Sequence, residues 1–169
     1  GHIHHLDYGK LILGSHKVAD SALLPQVVAD FQAAGIPVEL APDLRQARWQ
    51  KLVWNVPFNG MTVVLNTTTD RLMASDDTRE LSRQLMLEVI RGANACGVPL
   101  KESLAQQMID MTVKMKPYAP SMKLDYDHRR PMEIEYIYSR PVQTALKAGF
   151  EMRQVAMLEK QLRFIQANY

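Results

Sequence analysis

Apolar residues recur along this chain in two rhythms. Over residues 3–40 they come in short runs such as Leu11-Ile12-Leu13 and Val38-Glu39-Leu40, separated by glycines and polar residues. Short apolar runs bounded by turn residues predict strands. Residues 3–14 read as two short strands with a turn near Asp7 to Gly9. A lone hairpin is at best marginally stable in water, so these strands are expected to lean on other structure. After Gly14 a helix is predicted from a cap at Asp20 or Ser21 to Phe31 or Ala33. Pro25 falls in its first turn and Gly35 stops it. Residues 36–40, short and carrying Pro37, read as an edge strand. Residues 1–40 are expected to be the terminal β/α remnant of a larger α/β domain.

From Asp43 the rhythm is helical throughout. Asp43 is predicted to cap a long segment whose apolar surface comes from Leu44, Ala47, Leu52, Trp54, Val56 and Phe58, kinked or divided at Pro57. The polar, β-branched run Asn66-Thr67-Thr68-Thr69 breaks it. Asp77-Thr78-Arg79-Glu80 has the form of a capping box. It should open a helix with Leu81, Leu85, Val89, Ala93 and Cys96 in a stripe, ended by Gly97 and Pro99. A helix over about 100–114 and a loop over 116–120 follow. Pro131 is predicted to start the next helix, with Glu133 and Glu135 near the positive end of its dipole. Pro141 breaks that helix or starts another, Gly149 ends it, and residues 152–166 form a last amphipathic helix. No internal repeat is present. The expected fold is mainly α, with residues 41–169 as one multi-helix domain.

Composition narrows the function classes. With 47% hydrophobic residues among 169, the chain is too apolar to be intrinsically disordered. No run approaches the ~18 apolar residues of a membrane span. A net charge of +2, from 20 basic and 18 acidic residues, is too mild to argue for nucleic acid or an anionic membrane. The single cysteine, Cys96, forbids an internal disulfide and suits a reducing cytosol. His2, His4 and His5 have no carboxylate or thiol at ligand spacing, so no metal site is expected. Gly1-His2 reads as a cloning or cleavage scar, and neither an initiator Met nor a secretory leader is present.

One polar constellation stands out. Lys51, Asn55 and Asn59 lie at i, i+4 and i+8, which places them on one helix face with Thr62 nearly in line. The neighbours Trp54, Val56, Phe58, Val63, Val64 and Leu65 are apolar. Asn is a mediocre helix former, so two of them inside one helix invite a functional reading. Glu133 and Ser121 have structural readings, as a first-turn acid and as a cap or turn residue. Asp125, Asp127, His128, Arg129 and Arg130 form a charge run that reads as a solvated loop, with a loop covering a cleft as the alternative.

These residues also carry a family resemblance. Lys51-Leu52-Val53-Trp54-Asn55-Val56-Pro57-Phe58-Asn59 resembles the Lys-x-x-x-Asn-x-x-x-Asn segment of the ketopantoate reductases (2-dehydropantoate 2-reductases). Ser121-Met122-x-x-Asp125, followed by Glu133-Ile134-Glu135-Tyr136-Ile137, is similar to that family's second signature, a Ser-Met-x-x-Asp stretch leading into a Glu-Ile-Asp helix. Residues 9–14 are similar to the strand that closes its nucleotide-binding domain. There are departures: Tyr118 stands where the family often has Asn, Thr69 aligns with a further substrate Asn although Asn66 is close, and Asn59-Gly60 replaces a frequent Asn-Pro.

The resemblance implies the second part of a two-domain enzyme that reduces ketopantoate to pantoate in pantothenate biosynthesis. The first part would be a Rossmann domain holding NADPH, whose Gly-x-Gly-x-x-Gly turn has no counterpart among the eight glycines here. The helical part would resemble the C-terminal domain of 6-phosphogluconate dehydrogenase. Lys51 would be the catalytic acid, and Asn55, Asn59, Thr69 and Ser121 would bind substrate. Glu133 would act at the substrate hydroxyl, the lysine or the nicotinamide side. Implied partners are a 2-oxo acid and the chain's own Rossmann domain, with homodimerisation through the helices left open. Two alternatives remain at this point: a reductase of another 2-oxo acid, and a helical interaction module without chemistry.

Overall fold

The computed structural model describes residues 9–16, 23–117 and 119–168. The predicted strand over residues 3–8, the cap at Asp20 or Ser21, the histidines at 2, 4 and 5, and Tyr118 lie outside them. The chain divides into two compact units, the first ending at Arg48 and the second beginning at Trp49.

In the first unit, β1 (Leu11–Leu13) and β2 (Val38–Leu40) pair in parallel, Leu11 opposite Val38 and Leu13 opposite Leu40, with helix α1 (Leu23–Ala33) connecting them. That is a βαβ arrangement, as parallel strands require a crossover. Gly35, at φ +74°, makes the left-handed turn after α1 that a side chain would strain. Lys10 pairs with Glu39 across the strands. No residue of α1 is buried, and every buried apolar residue described lies at Trp49 or beyond.

From Leu44 onward the described elements are helical. Helix α2 (Leu44–Val64) starts at Asp43, whose carboxylate accepts the Arg45 and Gln46 amides at 2.7 and 3.3 Å. It is followed by α3 (Thr69–Ala74), α4 (Asp76–Ala95), α5 (Ser103–Lys114), α6 (Ser121–Asp127), a π-helical turn (Glu135–Ser139) leading into α7 (Arg140–Lys147), and α8 (Arg153–Gln166). Helix α4 packs against α3, α5, α7 and α8. The core between them holds Phe58, Leu72, Met86, Ile90, Met122, Tyr138 and Met152, all buried completely or nearly so. Full burial of such a side chain stabilises by roughly 1.5–3 kcal/mol.

Helix ends follow local chemistry. Helix α4 closes in a Schellman motif: Val98 N–H donates to Ala93 C=O at 2.9 Å, and Gly97, at φ +74°, donates to Asn94 C=O at 3.0 Å. The Asn94 side chain then holds Leu100, accepting its N–H at 2.7 Å and donating to its carbonyl at 3.1 Å.

Several expectations need correction. Pro57 does not divide α2, which runs on to Val64 around it. The capping box does not form: Asp77 already lies inside α4, and Glu80 instead binds Arg83 and Gln84. Leu81 is exposed, so the buried stripe passes through Ser82, Leu85, Met86, Val89, Ile90 and Ala93. Helix α5 starts at Ser103 rather than near Leu100. Pro131 starts no helix. Helix α6 ends in its own Schellman closure, with Arg130 N–H donating to Asp125 C=O at 2.8 Å and Arg129 at φ +53°. Pro131 then favours extended backbone at Arg130. Helical structure resumes only at Ile134, and the Glu133 carbonyl accepts the Ile137 amide at 3.2 Å. Glu133 therefore sits just before the helical turn, not within it.

Candidate functional site

Helix α2 carries Lys51, Asn55 and Asn59 on one face, and their exposure falls along it. Lys51 is exposed, Asn55 is half-buried, and Asn59 is only 2% exposed. Among the described residues, the side chains of Lys51 and Asn55 make no hydrogen bond or ion pair with protein groups, and neither does the Glu133 carboxylate. Thr62, next in line, is committed to its own helix, donating to Phe58 C=O at 2.6 Å.

Asn59 joins the two sequence motifs. Its Oδ1 accepts the backbone N–H of Met122 at 3.1 Å, inside the protein and across 63 residues of chain. The reason lies at the start of α6. Its N-cap is Pro120, which has no side-chain acceptor, and α6 receives no side-chain cap from that position. The first amides of a helix have no partners of their own, and one buried without a partner is costly. Asn59 supplies the missing acceptor and so holds the segment starting at Ser121 against α2. Ser121 itself is exposed at the first position of α6.

Glu133 is exposed on the segment between α6 and the π turn. That segment is anchored on both sides: Met132 N–H donates to Gln166 Oε1 at 2.6 Å, and the Tyr138 hydroxyl donates to Val56 C=O at 2.9 Å. The second of these reaches α2 between Asn55 and Asn59. Lys51 and Glu133 are not joined by an ion pair or hydrogen bond. Thr69 is buried at the start of α3.

Two residues of this region carry no motif signal. Tyr138 is fully buried, and burial raises its phenol well above the usual range, so it acts as a neutral donor. The glycine at Gly60, next to Asn59, is the trace it leaves in the sequence. Lys123 is buried within α6, paired with Asp127 and 5.2 Å from the Tyr126 ring centre.

The surface depression between α4 and α5, lined in part by Arg79 and Arg83, contains none of these residues. Its cations are already satisfied, Arg79 by Met73 C=O and Asp76 and Arg83 by Glu80. No cluster of three or more His, Cys, Asp or Glu among the described residues is placed to hold a metal. No helix described is long and apolar enough to cross a membrane. The free groups on α2 and at Ser121 are an ammonium, amide groups and a hydroxyl, a set suited to a small, oxygen-rich anion, while Glu133 adds a free carboxylate.

The chain is similar to known proteins along most of its length. The family profile described as "Ketopantoate reductase PanE/ApbA C terminal" matches residues 43–166. A 2-dehydropantoate 2-reductase from Nostoc sp. is 48% identical over 98% of this chain and 53% of its own length. The crystal structure of 2-dehydropantoate 2-reductase from Geobacter metallireducens superposes with a TM-score of 0.91 at 38% identity, covering 95% of this chain and 54% of that one. A structure described as dimeric ketopantoate reductase from Staphylococcus aureus matches with a TM-score of 0.83 at 26% identity, over 97% of this chain and 56% of that one. The chain thus spans about half the length of the relatives it matches. With its profile match running from the cap of α2 to the end of α8, the chain belongs to the ketopantoate reductase C-terminal family.

Proposed function

We propose that this chain is the substrate-binding and catalytic half of an NADPH-dependent 2-dehydropantoate 2-reductase, which reduces ketopantoate to pantoate. In this reading, residues 1–40 are the end of a nucleotide-binding domain and residues 41–169 are the helical domain. The observation that carries it is the hydrogen bond from Met122 N–H to Asn59 Oδ1, which ties the Lys51-Asn55-Asn59 face to the Ser121 segment.

The described residues do not fit a dinucleotide cradle. The chain has no Gly-x-Gly-x-x-Gly spacing. Gly14, just after β1, is there for packing: a Cβ on it would meet Leu44 Cβ at 3.0 Å. The hydride donor is therefore assigned to an upstream Rossmann domain of a longer protein.

What this chain's own residues do follows from charge. As a 2-oxo acid is reduced, negative charge grows on the carbonyl oxygen. The Lys51 ammonium stabilises that charge and gives the oxygen its proton. Asn59 has spent its Oδ1 on Met122 and offers its amide hydrogens to substrate oxygens, as Asn55 does. Ser121 takes the substrate carboxylate, and Thr69 supplies a further polar contact. Glu133 acts at the substrate hydroxyl, the lysine or the nicotinamide side. The relative described as dimeric supports a homodimer, and the lone cysteine suits the cytosol.

The test compares the 169-residue chain with the longer protein. The longer protein should reduce ketopantoate with NADPH, and the chain alone should not. Holding donor and acceptor together supplies on the order of 7–11 kcal/mol in well-oriented reactions, and this chain lacks the residues to hold the donor. Turnover by the chain alone, or none by the longer protein, would contradict the proposal. A reductase of another 2-oxo acid is the second reading, motivated by Thr69 and Gly60 where the family often has Asn and Pro. It predicts a lower KM for that acid than for ketopantoate.

A further inference from the structure

The chain interrupts its α-helical geometry at one described place, the π turn Glu135–Ser139. A π turn adds a residue to a helical turn at the cost of poorer geometry, and it persists where neighbouring contacts hold it. Here contacts hold it on two sides. Toward α2, the Tyr138 hydroxyl donates to Val56 C=O at 2.9 Å. This contact is possible only because residue 60 is glycine: a Cβ on Gly60 would stand 2.7 Å from the Tyr138 oxygen and 2.6 Å from Leu158 Cδ2. Toward α8, Ser139 Oγ donates to Glu159 Oε1 at 2.6 Å and accepts from Arg163 Nη2 at 2.7 Å, while Arg163 Nε binds Glu159 at 2.9 Å.

The α2 contact lands within the helical turn that carries Asn55 and Asn59. A helical carbonyl points along the axis toward the residues three and four ahead. The Val56 carbonyl thus lies beside Asn59 and Gly60, and the tyrosine hydroxyl sits over that turn. The π turn begins two residues after Glu133, whose carbonyl accepts the amide of Ile137 in that turn at 3.2 Å.

We infer that Tyr138, admitted by Gly60, is a positioning residue that sets the distance between the Glu133 segment and the Asn55–Asn59 turn, and so the fit of substrate between them. This inference rests on the proposed reductase site. Tyr138 touches no substrate; it acts through the two segments it joins. Lys51 lies on α2 five residues, about one and a half turns, before Val56, so the proton-donating end of the site does not depend on the tyrosine.

The experiment is Tyr138→Phe in the longer protein, which keeps the buried ring and removes only the hydroxyl. Two quantities are read: kcat and KM for ketopantoate, and amide hydrogen exchange over residues 133–140 and 56–62. Loss of one buried hydrogen bond corresponds to about a three- to ten-fold effect. KM should rise by about that factor with kcat changed less than about twofold, and exchange should quicken in both segments. A role in packing alone would lower the melting temperature while leaving KM and exchange in the Asn55–Asn59 turn unchanged, and that result would overturn the inference. Failure of the reductase reading has a different signature, no ketopantoate turnover by the unsubstituted protein. In that event exchange alone decides: coupled quickening of both segments supports the clamp, and unchanged exchange rejects it.

Discussion

Asn59→Ala should cost this protein more stability than the removal of any other polar group on the same helix face. The side chain is 2% exposed and its Oδ1 is the acceptor for Met122 N–H at 3.1 Å. Truncation leaves that amide buried at a helix start where Pro120 can offer no replacement. An unpaired buried amide costs about 1–3 kcal/mol, in line with the roughly 0.5–2 kcal/mol lost with ordinary helix caps. For a chain of this size that corresponds to a fall of about 2–12 °C in melting temperature. Asn55→Ala is the internal control, because Asn55 is half-buried with no hydrogen bond to protein among the described residues. It should stay within about 0.5 kcal/mol of the parent. Urea unfolding followed by circular dichroism gives both numbers under one set of conditions. Equal losses for the two variants, or a loss under about 0.5 kcal/mol for Asn59→Ala, would refute the capping argument.

Two further outcomes follow from local structure. Gly149 sits at φ +83° with open space around its Cα, so Gly149→Ala should destabilise through backbone strain alone, by about 1–2 kcal/mol in thermal or urea unfolding. Glu80, bound by Arg83 and Gln84, is held at about 2 against an ordinary 4.5. Its folded value is the lower one, so its contribution to stability is present above about pH 4.5 and is lost as the pH falls toward 2. The group is exposed, so that contribution is small. Carboxyl NMR titration should place Glu80 near 2 in the parent and closer to 4.5 in Arg83→Ala.

Where a local rule decided the structure, the sequence was readable. Asp43 caps α2 because its carboxylate reaches the next amides without help from elsewhere. Gly97 and Gly149 end their helices because the left-handed turn favours glycine. The parallel pairing of residues 11–13 with 38–40 was foreshadowed by two apolar runs flanking a helix. Misreadings came where a contact outside the motif itself, near or distant in sequence, chose between local options. Asp77-Thr78-Arg79-Glu80 looked like a capping box, yet Thr78 Oγ1 donates back to Leu72 C=O at 2.5 Å and α4 starts two residues earlier than that box requires. Pro131 looked like a helix start, but α6 closes at Arg129 just before it and helical structure resumes only at Ile134. The π turn left no periodic signal, since its causes are Val56, Glu159 and Arg163 on other helices. The candidate site was legible as two motifs, while the bond joining them, from Met122 to Asn59, depends on a proline that cannot cap.

The claim that most needs testing is that Lys51 is the proton donor of a 2-oxo acid reductase. Lys51 is exposed and makes no hydrogen bond or ion pair with described protein groups, so its removal separates chemistry from folding. Steady-state reduction of ketopantoate by the longer protein and its Lys51→Ala variant is the direct measurement. The account predicts a loss of roughly 10²–10⁴-fold in kcat, the usual effect of removing a positioned acid, with the melting temperature unchanged. Turnover undiminished in Lys51→Ala would contradict it.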